Sequence, residues 1–264
     1  MRVLRAEADP ERFFGRLRRA PSRVLLLDYD GTLAPFREER DRAVPYPEVR
    51  EQVRRILMGG RTRLVVISGR AIETLRPLLG IEPPPELWGT HGWERLLAGG
   101  AVERIELPSS VRDALDDARA RLPLPEAAER VEVKPASLAV HVRGLGEEEG
   151  RRLMDAARDA WAPWVEGGTL EAHAFDGGLE LRPPGRHKGS AVEDTLATEP
   201  RDAAAAYLGD DLTDEDAFEA LRGRGLSVLV RDELRRTAAD VWLRPPGDLL
   251  DFLRRWERES GPTE

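Results

Sequence analysis

The apolar positions of this chain follow two periods, which predict that strands alternate with helices. Three stretches, 24–27, 64–67 and 203–208, are apolar without interruption, as is typical of strands buried on both faces of a parallel sheet. Between the first two, apolar residues recur at helical spacing in a segment that begins at Pro47, a residue favoured in the first turn of a helix. Strands that alternate with helices in this way form parallel sheets with right-handed crossovers. The sequence therefore predicts an α/β fold.

The pattern changes between residues 108 and 178, where apolar and charged positions alternate along short runs. Such alternation is typical of antiparallel strands with one exposed face. Uninterrupted apolar runs resume after residue 178. We therefore predict a discontinuous core, 1–107 and 179–264, with a smaller α+β domain inserted at 108–178. The predicted elements of the insert are helices from Pro108 and over 147–160, strands at 131–133 and 137–142, and a hairpin around Asp176-Gly177.

Composition narrows the classes of function. The chain has 264 residues, a formal net charge of −8 and no cysteine. A negative charge argues against general nucleic-acid binding, which needs a positive face, and the lack of cysteine excludes disulfides and thiolate metal sites. No apolar run approaches the ~18 residues of a membrane span, and the N-terminus lacks a signal-peptide pattern. We expect no membrane partner and a cytoplasmic location.

Polar side chains follow the ends of the predicted strands. The first run ends at Asp28 and Asp30, the second at Ser68-Gly69-Arg70, and the third at Asp210-Asp211. Because open α/β sheets bind ligands at the carboxyl ends of their strands, we expect these groups to share one site. Lys188, one of only two lysines among 41 basic residues, offers the compact charge that suits a phosphoryl group. A plain strand-to-turn junction, or a helix cap at Ser68, stays open as a purely structural explanation.

These segments stand in an order that is known from one superfamily. Asp28-Tyr-Asp30-Gly-Thr32, Ser68-Gly-Arg70, Lys188 and Gly209-Asp-Asp-Leu-Thr-Asp214-Glu215 together resemble the four motifs of the haloacid dehalogenase (HAD) superfamily of phosphotransferases. The resemblance implies a Rossmann-like parallel-sheet core. It also implies that the inserted domain is a C2-type cap, which selects the leaving group and excludes water.

The resemblance assigns catalytic roles within the core. It implies that Asp28 attacks phosphorus to form an aspartyl-phosphate, and that Asp30 protonates the leaving oxygen and then deprotonates the hydrolytic water. Lys188 neutralises developing charge, and Ser68, Gly69 and Lys188 bind phosphoryl oxygens. As an acid, Asp30 must start protonated, and we expect neighbouring carboxylates to favour this by raising its pKa.

The same resemblance implies a metal site. Mg²⁺ would be held by Asp28, by the backbone carbonyl of Asp30 and by Asp210, with Asp211 and Asp214 around it. A hard cation with oxygen ligands offsets the repulsion between an attacking carboxylate and a phosphate dianion. Without metal, so many carboxylates in one place would repel and some would become protonated.

The local sequence is similar to the trehalose-6-phosphate phosphatase family from about residue 22 to residue 253. The segments that carry this likeness are 89–94, Glu180-Leu-Arg-Pro183 and 209–218. The family implies trehalose 6-phosphate as substrate. Residues implied or considered as substrate-binding are Arg70, His91, Glu132, Lys134, Arg143 and Glu180.

Simpler explanations and departures from the family stay open for some of these residues. An exposed strand face explains Glu132 and Lys134 equally well without the resemblance, and His91 would equally satisfy a hydrogen bond in the core. Val142 stands where family members often carry an aromatic residue, and Trp93 where a small one is often seen. Both departures bear on the sugar preference and leave the phosphatase chemistry intact.

Other functions stay open as well. The same chemistry could serve sucrose 6-phosphate or a glycosyl-3-phosphoglycerate. A non-catalytic regulatory partner of a sugar-phosphate synthase would be marked by loss of Asp28, Asp30 or Lys188, and all three are present. A phosphomutase would need a second phosphate site, which nothing in the sequence indicates. A trehalose-phosphate synthase is the candidate protein partner.

Overall fold

The computed structural model describes residues 1–37, 39–122, 128–175 and 177–261. The chain forms two compact units, one of Met1–Glu103 with His187–Glu264 and one of Arg104–Arg186. The sequence had placed the boundaries at 107/108 and 178/179. The second boundary differs because residues 178–182 pair on both sides with strands of the smaller unit.

The strands and helices are numbered in chain order. They are β1 (Arg2–Val3), α1 (Pro10–Arg19), β2 (Arg23–Asp28), α2 (Pro47–Met58), β3 (Arg63–Ile67), α3 (Ile72–Leu79), β4 (Glu86–Gly89), β5 (Glu94–Leu96), β6 (Val102–Arg104), α4 (Ser109–Ala120), β7 (Val131–Lys134), β8 (Ser137–His141), α5 (Glu147–Glu166), β9 (Glu171–Phe175), β10 (Gly178–Arg182), α6 (Lys188–Ala197), β11 (Ala204–Gly209), α7 (Glu215–Ala220), β12 (Gly225–Val230), β13 (Val241–Leu243) and α8 (Gly247–Ser260).

The larger unit is built on a nine-stranded sheet in the order β1-β13-β12-β11-β2-β3-β4-β5-β6. The six strands from β13 to β4 run parallel. Strand β2 lies near the middle, with Leu25 and Leu27 in the hydrophobic cluster that includes α1, α2 and α8. Val24 and Leu26 lie in the cluster on the other side, which includes α6 and α7. The α/β fold with a parallel-sheet core is thus confirmed, and the uninterrupted apolar run is explained by burial on both faces.

The smaller unit contains a four-stranded antiparallel sheet in the order β7-β8-β10-β9. Helices α4 and α5 contact it, and its apolar side chains include Leu138, Val140 and Leu179, all buried. Helix α5 runs six residues past the predicted end at 160, because Trp161 is fully buried there. Of the predicted hairpin turn, Asp176 lies outside the described residues.

Two aspartates cap local turns. Asp9 caps α1, since its Oδ1 accepts the Arg12 N–H at 2.9 Å. Asp211 accepts the Leu212 N–H at 2.7 Å and begins a 3₁₀ turn over Leu212–Asp214. Among the described residues, none of the helices combines the length and apolarity needed to cross a membrane.

Candidate active site

Three adjacent strands of the larger unit deliver acidic and hydroxyl groups to one edge of the sheet. The order β11-β2-β3 makes these strands neighbours, and all three run parallel. Asp28 is the last residue of β2, Ser68 follows β3 and Asp210 follows β11. The carboxyl ends of parallel strands meet at one edge, where open α/β sheets bind ligands. The structure therefore brings together the strand-end residues that the sequence singled out.

Asp28 and Lys188 form a buried ion pair. The Lys188 Nζ lies 2.7 Å from Asp28 Oδ1 and 2.7 Å from Asp214 Oδ1. Asp28 is 3% exposed and Lys188 is 4% exposed. Burial and the nearby Asp214 raise the pKa of Asp28 to about 7, although Lys188 acts in the opposite direction. Burial lowers the pKa of Lys188, but Asp214 and Asp28 raise it by more, so its ammonium stays charged.

Asp214 holds this pair in place, and both of its carboxylate oxygens accept hydrogen bonds. Its Oδ1 accepts from Lys188 and from the Tyr207 hydroxyl at 2.5 Å, and its Oδ2 accepts the backbone N–H groups of Asp210 and Asp211 at 3.0 and 2.9 Å. The Gly209 backbone lies so close that a Cβ there would overlap the Asp214 carboxylate. Four hydrogen bonds leave Asp214 suited to orienting its neighbours rather than to binding a ligand directly.

The Asp210 carboxylate is buried beside other carboxylates, an environment that favours a bound cation. It is 1% exposed, and neither carboxylate oxygen has a hydrogen-bond partner among the described residues. Burial and the charge of Asp28 raise its pKa well above the ordinary value. Oxygen atoms of Asp28, Asp210 and Asp214 lie within 4.8 Å of one another. The partnerless oxygens of Asp210, beside the buried carboxylates of Asp28 and Asp214, fit a hard divalent cation, so the residues present fit the metal that the sequence predicted.

Gly31 lets the turn after β2 approach Asp210. Its φ is +82°, a conformation that disfavours side chains with a Cβ. A Cβ at this position would also overlap the Asp210 carboxylate. The glycine of the Asp-x-Asp-Gly-Thr segment is therefore required by close packing against the candidate metal ligand.

Asp30 and Arg70, which the sequence assigned to separate roles, contact each other. Arg70 Nε and Nη2 each donate to one oxygen of the Asp30 carboxylate at 2.7 Å. This bidentate geometry is among the stronger kinds of ion pair, and Arg70 is buried while Asp30 is partly exposed. The sequence expected nearby carboxylates to keep Asp30 protonated. The observed partner of the carboxylate is the Arg70 guanidinium.

Ser68, Gly69 and His91 belong to two loops that are hydrogen-bonded together. Ser68 N–H donates to the Trp88 carbonyl at 2.9 Å, and His91 N–H donates to the Ser68 carbonyl at 3.1 Å. The φ of His91 is +54°, which is unusual for a residue other than glycine. A Cβ on Gly69 would lie 2.6 Å from His91 Nε2. The buried imidazole therefore packs on the backbone of the predicted phosphate-binding turn.

Two contributors to this site were missed by the sequence analysis. Tyr207 lies inside the apolar run of β11 and looks like an ordinary core residue, yet its hydroxyl binds Asp214. Arg235 comes from a loop after β12 and donates to the backbone carbonyls of Asp210 and Asp211, the latter at 2.6 Å. Nothing in their local sequence signals these contacts.

The smaller unit brings three of the predicted sugar-binding residues together. Lys134 Nζ lies 2.6 Å from Glu180 Oε1 and 3.6 Å from Glu132 Oε2. Ser137 donates to Glu180 at 2.7 Å, and His141 Nε2 lies 3.2 Å from Glu132 Oε2. These two contacts, which the sequence did not predict, fix the carboxylates on one face of the sheet. The remaining predicted residue, Arg143, is half-buried after β8 with its guanidinium beside Gly177.

Known proteins resemble this chain in sequence and in fold. A trehalose 6-phosphate phosphatase from Zea mays is 34% identical over 269 residues, which cover 91% of this chain and 71% of the relative. The solved C-terminal domain of a trehalose-6-phosphate phosphatase from Candida albicans has a TM-score of 0.82 at 21% identity, covering 97% of this chain and 99% of that one. A trehalose-6-phosphate phosphatase from Aspergillus fumigatus has a TM-score of 0.68 at 25% identity, covering 95% and 98%.

The family itself is identified by a model described as trehalose-phosphatase, which matches residues 26–239. That range contains the three strand ends of the candidate site, the buried lysine and the whole of the smaller unit. This chain therefore belongs to the trehalose-phosphatase family.

Proposed function

We propose that this protein hydrolyses trehalose 6-phosphate to trehalose and inorganic phosphate, as a phosphoric monoester hydrolase of trehalose biosynthesis. The observation that carries the proposal is the buried Asp28–Lys188 pair beside the open carboxylate of Asp210. A carboxylate is a sufficient nucleophile for phosphorus when it is ionised and when cations offset the charge of the ester. Family membership supports the choice of substrate.

In the proposed reaction, a carboxylate oxygen of Asp28 attacks phosphorus, and the bond from phosphorus to the sugar oxygen breaks. Asp30 gives a proton to that oxygen, so trehalose leaves and an aspartyl-phosphate remains. Asp30, now a carboxylate, takes a proton from water, which attacks phosphorus and releases phosphate with Asp28 regenerated. Ser68 and Gly69 would bind the phosphoryl oxygens.

The charges around Asp28 support this sequence of steps. Lys188, charged and buried, holds Asp28 Oδ1 at 2.7 Å and would stabilise negative charge that builds on the phosphoryl group. Membership of the family implies a divalent cation, and we propose Mg²⁺ held by Asp28, Asp210 and the Asp30 carbonyl, with Asp211 and Asp214 around them. When bound, the ion would neutralise phosphoryl charge and favour the ionised form of Asp28.

Arg70 positions Asp30 to take a proton from the hydrolytic water. The bidentate pair fixes the orientation of the carboxylate, which accepts a proton from water in the second step. To protonate the leaving sugar oxygen, Asp30 must itself carry a proton once substrate is bound. Its ion pair with Arg70 must then weaken. Arg70 therefore acts on Asp30 as a positioning residue in this proposal.

The polar face of the smaller sheet supports recognition of a sugar. Carboxylates accept hydrogen bonds from hydroxyl groups, and an ammonium donates to them. Glu132, Lys134 and Glu180 lie in contact with one another on this face, and we propose that they bind trehalose hydroxyls, together with Arg143. A synthase that makes the ester remains the candidate protein partner.

A panel of esters tests the proposal. Phosphate release with Mg²⁺ is measured from trehalose 6-phosphate, sucrose 6-phosphate, glucose 6-phosphate and a glucosyl-3-phosphoglycerate. We expect a clear preference for trehalose 6-phosphate in kcat/KM, and we expect Glu180→Gln to reduce that preference. A preference for another ester would contradict the substrate assignment and leave the chemistry of Asp28 standing. Hydrolysis of none by folded, metal-loaded protein would contradict both.

A further inference from the structure

A buried hydroxyl group is linked to the Asp28–Lys188 pair through Asp214 and has no part in the reaction proposed above. Tyr207 lies within β11, is fully buried and donates from its hydroxyl to Asp214 Oδ1 at 2.5 Å. The same oxygen accepts a hydrogen bond from Lys188 Nζ at 2.7 Å. The tyrosine and the lysine therefore share one acceptor atom.

The sheet and its packing fix the position of this hydroxyl. Tyr207 is paired with Leu26 of β2 on one side and with Ser227 of β12 on the other. Its ring meets the Phe218 ring edge-on, with centroids 5.8 Å apart and an interplanar angle of 75°, inside a cluster of buried side chains. A ring packed in this way has little freedom to move. The fold thus sets where the hydroxyl oxygen lies.

Asp214 has little freedom to move in response to its neighbours. Its Oδ2 accepts the backbone N–H groups of Asp210 and Asp211 at 3.0 and 2.9 Å, and the residue is fully buried. A carboxylate oxygen has two lone pairs. Those of Oδ1 are both in use, one for Tyr207 and one for Lys188. The ammonium can therefore approach this oxygen from one direction only.

The Lys188 ammonium is divided evenly between two carboxyl groups, at 2.7 Å from Asp28 Oδ1 and 2.7 Å from Asp214 Oδ1. A hydrogen bond to a carboxylate draws on the negative charge that the oxygen offers to its other donors, and such bonds are strong. The Tyr207 hydroxyl therefore weakens the attraction of Asp214 for the ammonium. Without the hydroxyl, a lone pair of Asp214 is unused, and we expect the ammonium to move towards it and away from Asp28.

We propose that Tyr207 is a positioning residue that keeps the Lys188 ammonium directed at Asp28, by occupying one of the two acceptor positions of Asp214 Oδ1. The inference rests on the proposed function and deepens it, since it gives a role in the attack to a side chain that contacts neither Asp28 nor Lys188 directly. A displacement of about 1 Å in a reacting site can cost about 100-fold in rate, so the loss of one hydroxyl should be visible in kcat.

The chain offers a direct readout of the ammonium, because Lys134 and Lys188 are its only lysines. Lysine labelled at Cε and Nζ therefore gives two side-chain signals by NMR, and Lys134→Arg assigns them. The spectra are recorded in chelator without substrate. We expect Tyr207→Phe to shift the Lys188 signal and to leave the Lys134 signal unchanged.

Steady-state kinetics with Mg²⁺ supplies the second readout. We expect Tyr207→Phe to lower kcat by about 10- to 100-fold and to change the KM of the preferred ester by less than about twofold. The matched control is Thr62→Val, which also removes a buried hydroxyl from the larger unit, the acceptor of Trp256 Nε1 at 3.0 Å. Both variants should lower the unfolding temperature. Only Tyr207→Phe should change kcat or the Lys188 signal.

A Tyr207→Phe protein with the Lys188 signal and the kcat of the parent would overturn the proposal. A Tyr207→Phe protein that does not fold would also overturn it, since the hydroxyl would then act on stability. Failure of the proposed function is seen separately, because the lysine spectrum needs no substrate. If the parent prefers another ester, the kinetics are measured on that ester. If it hydrolyses none, a shifted Lys188 signal still supports the link from Tyr207 to Lys188, and an unchanged signal still contradicts it.

Discussion

Lys188 and Asp28 stand 160 residues apart in the chain, and their side chains meet at 2.7 Å in the interior of the larger unit. The contact joins the first residue of α6 to the last residue of β2. Both side chains are almost fully buried, and Asp214 completes the group. Two carboxyl groups therefore share one ammonium in this cluster.

The first prediction concerns the removal of the ammonium. Lys188→Met leaves Asp28 and Asp214 as buried carboxylates without a counter-charge, and breaking a buried pair costs about 3–5 kcal/mol. We expect a loss of that size in the free energy of unfolding by urea, measured in the presence of a chelator. Arg54→Met breaks the exposed pair with Glu51 and should cost at most about 0.5 kcal/mol. A similar small loss at Lys188 would argue against a structural ion pair.

The second prediction concerns pH and metal. Burial raises the pKa of Asp28 to about 7 and also raises that of Asp210. Between about pH 4 and pH 7 the folded protein keeps protons that the unfolded chain has lost, so its stability falls as pH rises. We expect the unfolding temperature in a chelator to fall across this range, and Mg²⁺ to restore it most strongly near neutral pH.

The control for this effect is Asp210→Asn, which removes one of the raised groups. In chelator, the unfolding temperature of this variant should fall less over the same pH range, and Mg²⁺ should raise it by less. An unfolding temperature that Mg²⁺ raises equally at every pH, or in both proteins alike, would show that the ion acts elsewhere.

The third prediction compares two glycines with positive φ. Gly31 has φ +82° and packs against Asp210, whereas Gly60 has φ +66° and open space around it. Gly60→Ala should therefore cost only the backbone penalty of about 1–2 kcal/mol and leave kcat/KM unchanged. Gly31→Ala displaces the candidate metal ligand as well, and we expect a loss of at least about 100-fold in kcat/KM. Equal activity in both variants would contradict the close approach.

The fourth prediction separates two roles for Arg70. If Arg70 positions Asp30, Arg70→Gln lowers kcat by about 10- to 100-fold with little change in KM, and Arg70→Lys is less affected. If Arg70 binds substrate directly, the variant raises KM and leaves kcat near that of the parent. Steady-state kinetics on the preferred ester distinguishes the two outcomes.

The core of the candidate site was predictable because it depends on strand order and on strand ends. Asp28, Ser68 and Asp210 each follow an apolar run, and parallel strands bring such positions to one edge. The fold class was predictable for the same reason, since only burial on both faces explains a run such as 24–27.

The contacts between side chains were not predictable. Tyr207 has the pattern of a core residue, and its bond to Asp214 depends on the turn over Leu212–Asp214. The Asp30–Arg70 pair joins two motifs that the sequence treated separately, and its geometry is set by the loops that carry them. The predicted domain boundary at 178/179 falls inside the strand over 178–182, because apolar spacing alone does not reveal which sheet a strand joins.

Phosphate release by Asp28→Asn tests most directly whether Asp28 is the attacking group. With Mg²⁺ and trehalose 6-phosphate, we expect a loss of at least about 10³-fold in kcat, in a protein that remains folded by circular dichroism. Asp116→Asn, a change on the exposed side of α4, should keep the activity of the parent. Turnover by Asp28→Asn within tenfold of the parent would contradict Asp28 as the attacking group.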